Sequence, residues 1–257
     1  MEKPLILVTN DDGITAPGLR ALIRFMSEIG EVVVVAPDSP QSGMGHAITV
    51  DNTLYSSKAD IDQTDGALVE YSCSGTPADC VKLALQEILD RKPDICISGI
   101  NHGSNASINV IYSGTMSAAI EAGIEGVPAI GFSLCDYSWD ADFESAKEAI
   151  ISIVNGALKN KIPKGVVLNV NIPKIDRRLP KGIKICRQAR ANWKEKFDKR
   201  TNPRGKEYYW LTGEFELLDK GEDTDEWALA NDYISIVPTQ FDLTAHHAIQ
   251  ELNGWDL

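Results

Sequence analysis

Asp11 and Asp12 offer the most concentrated chemistry in this chain. They end the apolar run Leu5-Ile6-Leu7-Val8-Thr9-Asn10 and are followed at once by Gly13. Adjacent carboxylates repel, and in a cleft they are costly to desolvate unless a cation or a proton neutralises them. Such a pair can hold Mg²⁺ or Mn²⁺ through hard oxygen ligands. Asp-Asp-Gly is also ordinary turn chemistry after a strand, and this segment alone does not choose between the two.

Further polar groups sit where they could join that pair. Ser42 lies in a loop of small polar residues, 38–46, and Asn101 in a second one, 99–105. Ser113, Gly114 and Thr115 precede a run with helical rhythm, and free N–H groups at a helix start attract anions. Plain N-capping by Ser113 or Thr115 accounts for the same residues. Two carboxylates, one hydroxyl and one amide are oxygen donors that suit Mg²⁺ or Mn²⁺ better than zinc. His46, His102, His246 and His247 show no zinc-type spacing. No Gly-x-x-x-x-Gly-Lys-Ser/Thr loop occurs, nor a Gly-x-Gly-x-x-Gly after a strand with an acidic residue beyond it. Kinase and dinucleotide-dehydrogenase readings therefore lose their main support.

The elements that must position these residues follow from hydrophobic period. Residues 5–9 and 31–37 read as strands buried on both faces, joined by a helix that starts near Pro17 and ends before Gly30. This is a βαβ unit, for which a parallel sheet is expected. Residues 48–72 read as irregular β structure, clearest at 67–71. Thr76-Pro77-Ala78-Asp79 opens a helix with a capping-box variant that runs to Leu89. Strands are expected at 93–98 and 127–132, and a helix at 141–158. The segment 166–171 reads as the last strand of the main sheet. In this α/β arrangement the loops carrying Asp11, Asp12, Ser42 and Asn101 meet at one sheet edge, where open α/β sheets bind ligands.

Beyond Ile172 the texture becomes charged and aromatic. Tyr208-Tyr209-Trp210-Leu211 and Gly213-Glu214-Phe215-Glu216-Leu217 alternate like arms of an antiparallel hairpin, with a turn at 202–205. A strand is expected at 232–237 and a terminal helix at 243–252. An exposed aromatic hairpin invites cover by another subunit, so the C-terminal portion is expected to build an oligomer.

The 257 residues suffice for a large core. A formal net charge of −12 argues against nucleic acid polymers and anionic membrane surfaces, but not against a small phosphorylated substrate. Five cysteines without a Cys-x-x-Cys pair read as reduced core residues of a cytoplasmic protein. No segment approaches ~20 uninterrupted apolar residues, so no membrane span is expected.

In order along nearly the whole chain, Thr9-Asn10-Asp11-Asp12-Gly13-Ile14, Ala16-Pro17-Gly18, Val35-Ala36-Pro37-Asp38 with Ser42-Gly43, Gly75-Thr76-Pro77-Ala78-Asp79-Cys80-Val81, Ser98-Gly99-Ile100-Asn101-His102-Gly103 with Asn105, Tyr112-Ser113-Gly114-Thr115, Asn169-Val170-Asn171-Ile172-Pro173 and Thr224-Asp225 closely resemble the SurE family of survival-protein nucleotidases. The resemblance implies a single domain over 1–257. Its 1–172 part would be a Rossmann-like three-layer α/β core with a mostly parallel sheet, and 173–257 a β-hairpin/helix extension for oligomerisation. It implies hydrolysis of nucleoside 5′- and 3′-monophosphates, with short polyphosphate as a further substrate, by a homodimer or homotetramer.

The same resemblance places one divalent metal ion per subunit on Asp11, Asp12, Ser42 and Asn101, and the phosphate cradle at Ser113, Gly114 and Thr115. Asp11 is then the candidate to orient or deprotonate the attacking water. An aspartyl-phosphate route is the rival, although Asp11 followed directly by Asp12 departs from the Asp-x-Asp spacing of haloacid-dehalogenase phosphatases. The chain also departs from the family at Ser39-Pro40-Gln41, where a polar and basic stretch is more usual, and at 106–110, where many members carry a glycine and an acidic residue. Outside this class, a nucleotide-sensing binding protein predicts no phosphate release, and a structural oligomer predicts no metal dependence.

Overall fold

In the computed structural model, residues 3–59, 61, 65–138, 140–174 and 179–256 are described. The expected β structure at 60 and 62–64 lies outside them. The first strand, β1 (Leu5–Thr9), leads into α1 (Pro17–Ser27) and back to β2 (Glu31–Pro37). Then come β3 (Ser56–Lys58), β4 (Val69–Cys73), α2 (Pro77–Leu83) with a π-turn at Ala84–Ile88, and β5 (Ile95–His102). A 3-10 segment, Ser107–Tyr112, enters α3 (Gly114–Ile124). The chain continues through β6 (Ala129–Leu134), α4 (Lys147–Asn160), β7 (Val166–Ile172) and β8 (Gly182–Ile185). It finishes with β9 (Ala191–Thr201), β10 (Glu207–Leu217), α5 (Asp225–Ala230), β11 (Tyr233–Gln240) and α6 (His246–Leu252).

Among the described residues the main sheet runs β3-β4-β2-β1-β5-β6-β7-β11-β8. It is mostly parallel, with β3 antiparallel to β4 and β11 antiparallel to β7. Successive β1 side chains explain the three layers: Ile6 and Val8 pack with Leu19, Leu22 and Phe25 of α1 on one face, and Leu7 packs with Met116 and Ala119 of α3 on the other. The chain passes from β1 to β2 on one side of the sheet and later returns to β5 on the other side of β1. That reversal opens a crevice at the carboxyl ends of β1 and β5, the usual ligand position in such sheets.

Two expectations are corrected. β7 is not the last strand of the main sheet, because β11 pairs with it and β8 pairs with β11. The 232–237 segment seals the edge that β7 would otherwise leave open, a partner that short-range pattern does not reveal. The strand expected to stop at Ser98 runs on to His102, with a register shift against β6 between Ser98 and Asn101. Such a bulge re-aims the strand end, and it puts Asn101 on a hydrogen-bonded strand rather than in a free loop.

β9 and β10 form a separate two-stranded antiparallel ribbon, in register from Ala191↔Leu217 to Thr201↔Glu207. Phe197, Tyr209, Trp210 and Leu211 on it are all exposed. Among the described residues no helix is long and apolar enough to cross a membrane.

Candidate active site

Asp11 is only 4% exposed. Its Oδ1 accepts a 2.6 Å hydrogen bond from Thr115 Oγ1 in the first turn of α3. Gly114 makes that approach possible, since a Cβ there would lie 2.6 Å from the Asp11 Cβ. Burial pushes the Asp11 carboxyl up to about 6, opposed by the Thr115 hydrogen bond and reinforced by the charge of Asp12. Burial also raises Asp12, with the His102 N–H pulling the other way from 3.3 Å.

The loop after β2 is stitched to the loop after β1: Gln41 N donates to Asp11 O at 2.7 Å, and Ile14 N to Pro37 O at 2.8 Å. Ser42 reaches the cleft on that loop. Farther along, His46 Nε2 lies 2.8 Å from Glu121 Oε2 on α3, so the loop is moored at both ends. Asn101 Nδ2 donates to the carbonyls of His102 and Gly103 at 3.2 and 2.9 Å, which leaves its Oδ1 as the atom with lone pairs to offer. Ser113 is the N-cap of α3, its hydroxyl accepting from Met116 N at 3.0 Å. The N–H groups of Gly114 and Thr115 belong to the first turn, where the helix itself supplies no acceptor.

Asp11, Asp12, Ser42, Asn101 and Ser113 thus line one cleft of about 240 Å³. Gly114 and Thr115 stand behind Asp11 rather than in its walls. No Lys or Arg is among the described lining residues; His102 lines the cleft, and its charge, like its N–H, favours the ionised form of Asp12. Among the described residues no group of three or more His, Cys, Asp or Glu could hold a metal. A zinc-type cluster is not built here; the donors in the cleft are two carboxylates with neutral oxygens, which suits a hard divalent cation.

Sequence reasoning missed the supports of this site. Asn105 N donates to Asn171 Oδ1 and Asn105 Nδ2 to Ser133 Oγ, each at 2.8 Å. Asn169 Nδ2 donates to Asn105 O, and Asn171 Nδ2 to Asn169 Oδ1. These buried side chains lock the loop after β5 onto β6 and β7. Asp225, fully buried, accepts from Ser107 N at 2.7 Å and from Ala189 N at 2.9 Å. Ser107 adopts φ 54°, a left-handed conformation costing roughly 1–3 kcal/mol, and Asp225 holds it at the start of the segment that delivers Ser113. The Thr224-Asp225 pair carried a signal in the family resemblance, but nothing local to it points to residue 107.

The comparisons agree with this architecture. The family model described as "Survival protein SurE" matches residues 6–195. A protein named 5′-nucleotidase SurE from Flavobacterium psychrophilum is 70% identical over 257 residues, covering 100% of this chain and 99% of its own length. One of the same name from Bacteroides fragilis is 46% identical, covering 100% and 99%. The crystal structure of a SurE protein from Aquifex aeolicus superposes with a TM-score of 0.83 at 39% identity, covering 97% of this chain and 98% of that one. With a family match over most of its length and relatives aligned end to end, the chain belongs to the SurE family.

Proposed function

We propose that this protein is a divalent-metal-dependent phosphomonoesterase that releases inorganic phosphate from nucleoside 5′-monophosphates, with 3′-monophosphates and short polyphosphate as further substrates. The observation that carries the reading is the adjacent pair of buried Asp11 and half-buried Asp12 in a cleft with no Lys or Arg among its described lining residues, Asp11 being pressed against the N-terminus of α3. The names of its relatives supply the nucleotide.

Asp11, Asp12, Ser42 and Asn101 would hold one Mg²⁺ or Mn²⁺, which would supply Lewis acidity toward a phosphoryl oxygen and positive charge beside the two carboxylates. The remaining work falls to the chain. Ser113, at the N-terminus of α3, faces the equatorial oxygens, whose charge phosphoryl transfer must stabilise, while Gly114 and Thr115 act from behind by seating Asp11. Asp11 orients the attacking water and takes its proton, while Thr115 fixes the carboxylate that does so.

The exposed aromatic ribbon β9–β10 serves as a subunit interface within one domain spanning 1–257, giving a homodimer or homotetramer. The five free cysteines suit the reducing cytoplasm.

A phosphate-release panel over nucleoside monophosphates, sugar phosphates and tripolyphosphate tests the reading. Chelator should abolish release, and Mn²⁺ or Mg²⁺ should restore it. Full activity after exhaustive metal removal would end it.

A further inference from the structure

We propose that Tyr112, Tyr137 and Trp193 form an aromatic rim that grips the nucleobase, so that the enzyme distinguishes nucleotides from other phosphate esters by stacking. This deepens the phosphomonoesterase reading and rests on it.

Three observations lead here. At about 240 Å³ the cleft is smaller than the roughly 300–1,000 Å³ usual for ligand sites. It can enclose a phosphate and its metal, and the rest of a nucleotide must lie at the rim. No described lining residue is Lys or Arg, and the chain carries a net charge of −12. Affinity for an anionic substrate therefore has to come largely from contacts other than side-chain cations. The lining residues with large apolar surface are the three aromatics, brought from three separate parts of the chain.

Each aromatic is tied in through its backbone, a packed glycine or a hydrogen bond while leaving surface open. Tyr112 is 53% exposed, and its carbonyl accepts from Gly45 N at 3.2 Å, which fixes its backbone to the Ser42 loop. Tyr137 is 76% exposed, yet its ring lies against Gly103, where an added Cβ would fall 2.2 Å from the ring. Gly103 has φ 101° and is thus doubly required to be glycine. Trp193 donates its indole N–H to Asn109 Oδ1 at 2.8 Å and packs edge-on to Phe215. Ordered rings with an open surface lose little entropy on binding, and every base presents a π-face. The site should therefore accept purines and pyrimidines alike and disfavour esters with no ring.

The test compares kcat/KM for AMP and for ribose 5-phosphate, which keeps the sugar and phosphate but lacks the base. Wild type should prefer AMP by about 5- to 150-fold, the range of a single base–aromatic contact. Tyr112→Ala, Tyr137→Ala and Trp193→Ala should each move that ratio toward one, and Tyr137→Phe should restore it. Equal loss on both substrates, or no preference in wild type, overturns the proposal. A second arm titrates adenosine into metal-free protein by calorimetry: weak binding, lost in Tyr112→Ala/Tyr137→Ala, is expected. Absence of phosphate release from any ester would defeat the phosphomonoesterase reading, whereas adenosine binding unchanged in the double variant would defeat the rim.

Discussion

The strand-end loops around Asp11 and the β9–β10 ribbon are held in shape by different means. Around Asp11 the backbone is fixed by buried polar side chains, Thr115, Asn105, Asn169, Asn171 and Asp225, each bonded to a group far away in sequence. The ribbon is held by its own ladder and by exposed pairs such as Lys194–Glu216 and Lys199–Glu207, which contribute little in water. Lost buried bonds are expensive because the surviving partner has no water to turn to; lost surface pairs are replaced by solvent. The site should thus fail through single residues, and the ribbon only through the loss of whole surfaces.

The largest effect is expected at Asp11. Asp11→Asn should lower phosphate release at least about 100-fold, the usual lower bound for losing a positioned acid or base. The metal-free protein should unfold at the same or a higher temperature, because the variant removes a buried charge whose ionisation is already resisted up to about 6. Near-wild-type turnover would remove Asp11 from the chemistry.

Next comes Asp225. Asp225→Ala strips the acceptors from Ser107 N and Ala189 N and should cost about 2–6 kcal/mol of stability, at about 1–3 kcal/mol per orphaned donor. Denaturant titration measures this, with Asp225→Asn as the milder variant. Replacing residues 197–211 by a two-residue turn should change protomer stability by less than about 1 kcal/mol, as for surface changes generally, while reducing particle size in light scattering. An unchanged particle size would refute the interface, and a stability loss matching that of Asp225→Ala would erase the contrast between the two regions.

A pH-dependent effect is expected at Glu226, whose carboxyl is pushed up to about 7 by burial and then by the charge of Asp225. An acid raised on folding favours the native state while protonated. Stability from this group is full below its ordinary 4.5 and is lost as pH rises through about 7. Glu226→Gln should flatten that part of the stability profile and gain relative to wild type at pH 8. An identical slope in both proteins would contradict the assignment.

This contrast also marks what the sequence makes legible. β1 and β2 follow from uninterrupted apolar runs, and the Thr76–Asp79 capping box appears where expected, with both of its hydrogen bonds. The meeting of Asp11, Asp12, Ser42 and Asn101 follows from their placement after parallel strands. Asn101 itself required the bulge in β5, which depends on pairing with β6 and has no local signature. Asn169 and Asn171 entered the sequence reading only through the family resemblance, without a role, because their partner Asn105 is more than sixty residues away. Asp225 is the extreme case: a charged residue near the end of the chain gives no hint that it will be wholly buried. The ribbon was readable in outline because alternation is local.

The span between Ser107 and Asp225 has a consequence in time. The two are 118 residues apart, and ribosomes add about 5–20 residues per second, so Ser107 waits roughly 6–24 s for its anchor. Throughout that interval the growing polypeptide already holds Asp11 and Asp12 but lacks the carboxylate that sets the entry to α3. Translation that stops short of residue 225 therefore yields a product that carries Asp11 and Asp12 but lacks the acceptor for Ser107 N at the entry to α3.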